Sequence, residues 1–325
     1  MELAFSPSTP GIAAADLVDL CVAAERMGYR GAWVAEVAGP EAFSLLGAIA
    51  ARSTLLDLGV AVVPAMTRSP ALMAMSAATV SQLLGGRGLS LGIGSSSQTI
   101  VEQWHGATFV PPLARVRESV EATRALLAGE RGYRGSHVSA DRFRLATPPL
   151  GPVRLFVGAL GPRMLRLAGA VGDGVCLNLM PAGAVPRQLA EVRRGAAEAG
   201  RELPGHFRAM ARFHIVLTED PAAGRDLIRA GFGPYFAQPV YNRFLRWLGH
   251  EEAATGIAAA FAAGDRDGVA AAFTDAIVDG VSLVGTPDEV RSRLAEYAEA
   301  GVDIGALNVL GDLETVRDGL RELAG

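Results

Sequence analysis

The sequence predicts a (β/α)8 barrel, on three observations. Eight short apolar segments alternate with stretches of helical periodicity along most of the 325 residues. The helical stretches open and close on the expected capping residues. The rival fold, a doubly wound open sheet, usually carries a Gly-x-Gly-x-x-Gly turn after its first strand. Here that turn reads Ser6, Pro7, Ser8, Thr9, Pro10.

Glu2 to Phe5 reads as the first strand, and Ile12 to Met27 as a helix stopped by Gly28. Gly31 to Ala35 is the second strand, with Glu36 at its end and a helix from Glu41 to Arg52. Leu56 to Val63 is the third, closed by Pro64; Ser69 then caps a helix that has Pro70 in its first turn and runs to Leu84. Leu89 to Gly94 is the fourth strand, and Pro112 to Ala128 the helix after it. Gly129 to Leu150, rich in Gly and Pro, reads as an excursion with a hairpin. Val153 to Val157 and Gly174 to Leu177 are the fifth and sixth strands, with helices to Val171 and from Ala184 to Ala199. Phe207 to Leu217 is the seventh strand, the most exposed in character. Helical material from Pro221 to Ile277 exceeds one crossover, so the part around 232–277 reads as a lid-like insertion. Thr286, Pro287 and Glu289 start a helix ending at Gly301; Ile304 to Leu310 is the eighth strand, and Asp312 opens the closing helix. The whole is expected to be one domain.

Half of the residues are hydrophobic, which excludes a disordered chain. A net charge of −4 offers no basic footprint for nucleic acid, and no apolar run is long enough to cross a bilayer. The N-terminus lacks the pattern of a signal peptide, and Cys21 and Cys176 each lie in an apolar segment as buried thiols; a cytoplasmic protein is expected. No metal-ligand spacing joins the five histidines. All 30 basic residues are Arg, which excludes a lysine Schiff base and a P-loop and leaves Arg as the cation for any bound anion.

In a barrel the strands' carboxyl ends form one mouth. Glu36, Pro64, Gly94 to Ser97, Gly158 to Gly161 and Asn178 converge there. The Gly94, Ser95, Ser96, Ser97 run offers clustered N–H and O–H donors that suit a phosphate, and reads equally as a polar turn. Asn178 suits a ring contact or a strand-end cap. His105, in the loop after the fourth strand, suits a proton donor or a structural role. Trp104, Phe109, Tyr235, Phe236, Tyr241 and Trp247 suit either a pocket lining under the insertion or ordinary core.

The run LGVAVVPAMTRSPALMAMSAATVSQLLGGRGLSLGIGSSSQTIVEQWHG resembles the luciferase-like monooxygenase superfamily, in the branch that uses the deazaflavin coenzyme F420. ERMGYRGAWVAE, FVGALGPRMLRLAGAVGDGV and GTPDEVRSRLAEYAEAGVD carry the same resemblance. It implies a non-prolyl cis peptide at Ala61–Val62 backing the cofactor ring, and a phosphate-binding turn at Gly158, Ala159, Leu160 and Gly161. It also places Phe5, Ser6, Glu36, Gly94, Ser95, Ser96, Ser97 and Asn178 around the cofactor. Many relatives put an acid and a His together after the second strand, whereas here Val37 follows Glu36. With that base missing, the resemblance implies a reductase delivering hydride from reduced F420 to an activated C=C or C=N bond of a small organic or peptide-derived substrate. Glu36 and His105 remain as candidate catalytic groups, and a homodimer is expected by resemblance. The alternatives are an FMN-dependent monooxygenase and a non-catalytic barrel that binds a ligand or partner.

Overall fold

The computed structural model describes residues 1–324. In chain order the elements are β1 (Glu2–Phe5), α1 (Ala14–Arg26), β2 (Gly31–Val34), α2 (Ala42–Ala50), β3 (Asp57–Pro64), α3 (Pro70–Leu83), β4 (Leu89–Gly94) and α4 (Pro112–Leu127). There follow β5 (Val153–Gly158), α5 (Pro162–Val171), β6 (Gly174–Asn178), α6 (Val185–Glu198), β7 (Arg208–Leu217) and the helices α7 (Pro221–Ala237), α8 (Pro239–Trp247), α9 (Glu251–Ala262), α10 (Arg266–Ala272) and α11 (Asp275–Val281). The chain ends with β8 (Leu283–Gly285), α12 (Pro287–Glu299), β9 (Ile304–Val309) and α13 (Leu313–Leu323).

The strands from β1 to β7 pair in sequence order, β9 joins β7 to β1, and the β6–β7 pairing closes the ring. Every ladder is parallel, as expected of a (β/α)8 barrel. One strand was not expected. Beyond Arg212, where β6 ends, the free edge of β7 is taken up by the three-residue β8, with Ile215 opposite Leu283. The eighth barrel strand is therefore β9.

Local chemistry explains the helix boundaries. Ser69 accepts from the Leu72 N–H, Asp312 from the Thr315 N–H, and Thr286 and Glu289 form a full capping box. Strands covered on both faces read as continuous apolar runs, and β2 is buried at all four residues. The outer layer, between strands and helices, is the main core; Phe5, Leu58, Leu91, Val157 and Val175 lie in it. Inside the barrel, Ala4, Trp33, Phe156, Cys176, Met210 and Ala306 form a plug. Trp33 and Phe156 meet edge to face at 5.2 Å. They fit because a Cβ on Gly59 would lie 2.4 Å from Trp33 and one on Gly174 2.3 Å from Phe156.

Residues 129–150 hold one antiparallel bridge, Arg134 to Ser139, pinned by Glu118, which accepts from the His137 and Val138 N–H groups. The excursion after β7 begins at Pro221 and comprises α7 to α11, wider than 232–277. It has its own core of Phe236, Leu245, Ile257, Phe273 and Val278, joined to Leu179, Val216 and Val284 at the barrel. Among the described residues no helix is long and apolar enough to cross a membrane, and no cluster suits a metal ion. Cys21 and Cys176 are buried free thiols whose pKa burial raises.

Candidate active site

Strand alternation decides which side chains reach the mouth. Inward-facing Ala4, Cys176, Met210 and Ala306 are followed two residues later by Ser6, Asn178, Arg212 and Asn308, and His214 follows Arg212 on the same face. These five make a polar layer above the plug, hydrogen-bonded as a pair and a trio. Arg212 donates from Nε to Ser6 Oγ at 3.0 Å. His214 donates from Nε2 to Asn178 Oδ1, and Asn308 Nδ2 donates to His214 Nδ1, both at 3.1 Å. The ring is thus fixed as one neutral tautomer. Burial, and then the Arg212 charge, hold its pKa well below the usual histidine value. Asn308 Oδ1 is buried and has no partner.

Phe5 requires a correction. It is 0 % exposed in the layer behind β1, because alternation turns Ala4 and Ser6 inward and Phe5 outward; it does not line the mouth. The seventh strand is likewise not the most exposed. Its polar side chains face the barrel interior, and only its end residues and Arg212 keep partial exposure.

Opposite β7 around the eight-strand ring stands β3. The Ala61–Val62 peptide is cis, and the β3–β4 register shifts between Val60 and Val63. Val62 projects into a slot between two glycines. A Cβ on Gly94 would lie 2.6 Å from Val62 Cγ2, and one on Gly158 3.0 Å from Cγ1. The small residues at these strand ends therefore make room for Val62.

The β4 loop turns through a left-handed Ser96 (φ 58°) into a short π-helical turn, Thr99–Trp104. Ser95 Oγ donates to the Ser96 carbonyl, and Ser97 Oγ accepts from the Ile100 N–H, so two of the three hydroxyls are already engaged. His105 ends that turn, exposed. Thr99 meets Gln238, at the α7–α8 junction, at 3.4 Å. The excursion that starts at β7 thus reaches across to the β4 loop and roofs the mouth.

The β5 loop leads into α5. Its Ala159 N–H is used by the Cys176 carbonyl, and Gly161 caps α5 without a side-chain bond. Among the described residues the N–H groups of Leu160, Gly161 and Arg163 have no acceptor, and a Cβ on Gly161 would meet nothing within 4 Å. Free amides, a helix N-terminus and Arg163 beside open space suit a phosphate oxyanion.

Glu36 ends β2 as expected, but its carboxylate is occupied. Arg68 donates to both oxygens, at 2.9 and 2.6 Å, and the Ala42 N–H donates to Oε2. Arg68 also pairs with Glu41 and lies over the Phe43 ring. Hydrogen bonds to Ser44 and Phe43, helped by Arg68, outweigh desolvation and lower the Glu41 pKa to about 2. Two hollows elsewhere, of about 320 Å3 beside Met1, Tyr29 and Ala324 and about 410 Å3 beside Asp226 and Phe273, lack the convergent donors of the mouth. The first lies at the amino ends of the strands, opposite the mouth.

The pattern of the luciferase-like monooxygenase family matches residues 2–304. The chain belongs to that family. A 5,10-methylenetetrahydromethanopterin reductase of Archaeoglobus fulgidus is 31% identical to it over 285 residues, covering 86% of this chain and 85% of the relative. An F420-dependent glucose-6-phosphate dehydrogenase of Nocardia farcinica is 32% identical over 246 residues, covering 68% and 70%. The solved coenzyme F420-dependent tetrahydromethanopterin reductase of Methanopyrus kandleri superposes with a TM-score of 0.81 at 22% identity, over 100% of this chain and 98% of that one, and so shares the fold.

Within this luciferase-like chain, sequence reasoning placed the β3 bulge, the two loops and Asn178, and missed Arg212, His214 and Asn308. A signal was present. Arg212 and His214 alternate with Ala211, Phe213 and Ile215, and in a closed barrel the polar face of such a strand faces inward. Of the aromatic candidates, Phe236 and Phe109 serve as core and Trp247 stacks on Phe244. Tyr241 packs edge to face on Tyr235, and burial pushes its pKa up to about 12; Phe232 lies 4.5 Å from His214.

Proposed function

We propose that this chain is a coenzyme F420-dependent reductase, passing hydride to an activated C=C or C=N bond of a small organic or peptide-derived acceptor. The observation that carries the reading is the pair of opposed walls at one mouth. The cis Ala61–Val62 bulge on β3 faces the polar layer of β7, with free amides at the α5 N-terminus between them around the rim. These residues fit the coenzyme: Val62, seated against Gly94 and Gly158, would back the flat ring, and Leu160, Gly161 and Arg163 would hold its phosphodiester. The names borne by the relatives, an F420-dependent dehydrogenase among them, support the same carrier.

Reduced F420 supplies hydride when bound. The protein's part is to hold ring and acceptor face to face beneath the α7–α11 roof. Glu36 serves by fixing Arg68 beside the mouth, since its oxygens are already taken. His214 stays neutral and orients Asn178 and Asn308. Reduction needs a proton as well as hydride, and water reaching the half-exposed rim can bring it. We extend the proposal to a homodimer in the cytoplasm. Leu72, Met75 and Leu83 make an exposed apolar stripe on α3, and both thiols are unpaired.

The test is anaerobic oxidation of reduced F420, followed optically against a panel of enones, imines and dehydro-amino acids. Acceptor-dependent oxidation is expected. Tight retention of FMN with oxygen-dependent turnover would assign the monooxygenase alternative instead. Failure to bind either flavin type would leave a ligand-binding barrel.

A further inference from the structure

One cation in the mouth has no charge partner. Among the described residues Arg212 makes no ion pair, and its one side-chain hydrogen bond, Nε to Ser6 Oγ, leaves the edge bearing both Nη atoms unengaged. The guanidinium is deep enough that burial lowers its pKa to about 10, against the opposing pull of Tyr235 and Tyr241, yet it keeps partial surface exposure. The guanidinium is therefore deeply placed yet still reachable from solvent. A charged group at such depth without a counter-charge is costly unless a ligand supplies one. A second buried group nearby also lacks a partner: Asn308 Oδ1, on the strand beside β7.

Position decides what the ligand is. In the ring of eight strands β3 and β7 are diametrically opposed, so a flat cofactor backed by Val62 has the β7 wall across from its open face. The acceptor occupies the space between. We propose that the acceptor carries a carboxylate, which Arg212 binds through two parallel hydrogen bonds beside Tyr235 and Tyr241. A planar fork matches a carboxylate in shape, and a single cation in a layer whose one other basic group, His214, is held neutral matches a monoanion. This rests on the F420 reading only for which face the acceptor takes; the anion site stands on the chain's own residues.

The test measures the two ligands separately. Wild type, R212K and R212Q are titrated by thermal shift, without cofactor, with matched pairs of unsaturated carboxylic acids and their primary amides, and with inorganic phosphate. F420 binding is followed on the same samples by fluorescence. Wild type is expected to favour acids over amides by about tenfold or more in Kd. R212Q should lose that preference, R212K keep part of it, and both should bind F420 within about threefold of wild type. Equal response to acids and amides, an acid preference surviving in R212Q, or phosphate outcompeting every acid would overturn the proposal. Loss of F420 binding in R212Q would do so too, by assigning Arg212 to the cofactor. Wild type that responds to acids but binds no F420 would refute the reductase reading and leave the anion site standing.

Discussion

Replacing Gly94 with alanine places a methyl carbon 2.6 Å from Val62 Cγ2, where apolar carbons normally sit about 3.5 to 4 Å apart. Cβ atoms on Gly92 of β4 and Gly158 of β5 would each lie 3.0 Å from Val62 Cγ1, so relief of that overlap is expected to displace Val62 away from these two strands. Overpacking of this kind costs about 1–3 kcal/mol. A melting entropy near 2 cal/mol/K per residue converts 1 kcal/mol to about 1.5 °C in a chain this long, so G94A should melt about 2–4 °C lower. Val62 keeps partial exposure, and movement away from Gly94 toward the mouth would encroach on the space proposed for the ring. F420 affinity should therefore fall about tenfold, equivalent to about 1.4 kcal/mol. The V62A/G94A double variant removes the methyl groups in conflict and should recover much of the affinity lost in G94A, a coupling that a double-mutant cycle reads directly. Differential scanning fluorimetry and fluorescence titration suffice. G94A with wild-type melting and wild-type affinity, or a double variant no better than G94A, would refute the packing argument.

The Glu36–Arg68 pair, with side chains 16% and 12% exposed, is structural here. E36Q should lower the urea midpoint by an amount equivalent to about 1–3 kcal/mol, with the m-value unchanged, while leaving the pH profile of turnover unaltered. A shifted pH profile would show Glu36 handling a proton. His214 has a depressed folded-state pKa, so the unfolded chain takes up its proton first. The stability due to its neutrality is whole above about pH 6.5 and is lost as pH falls below that value, with a slope of at most about 1.4 kcal/mol per pH unit. H214Q should flatten this part of the stability–pH curve, as measured by urea unfolding at pH 5 to 7. T286A removes the capping box of α12 and should cost about 1 kcal/mol by the same method, without altering cofactor affinity.

Much of the barrel was legible because its signals are local. Ser69 with Pro70, Thr286 with Glu289, and apolar runs ending in Gly94 or Asn178 each declare an element boundary within a few residues. The β8 strand escaped because three residues, Leu283–Gly285, carry no period and exist only where β7 outlasts β6. The π-helical turn at Thr99–Trp104 escaped because its sequence reads as loop. The polar layer escaped for a different reason. Arg212, His214, Asn178 and Asn308 lie on three strands, and nothing local shows that they share a level. Phe5 and Ser6 are adjacent, yet only the pleat, fixed by Ala4 facing the plug, turns one to the outer core and the other to Arg212.

The central claim, that this mouth is shaped for a deazaflavin hydride carrier, is tested most directly by equilibrium binding of F420 and FMN to the same purified protein under anaerobic conditions. The account predicts saturable, stoichiometric F420 binding at least about tenfold tighter than that of FMN, and weakened in G94A. Tighter binding of FMN, or F420 affinity indifferent to Gly94, would contradict it.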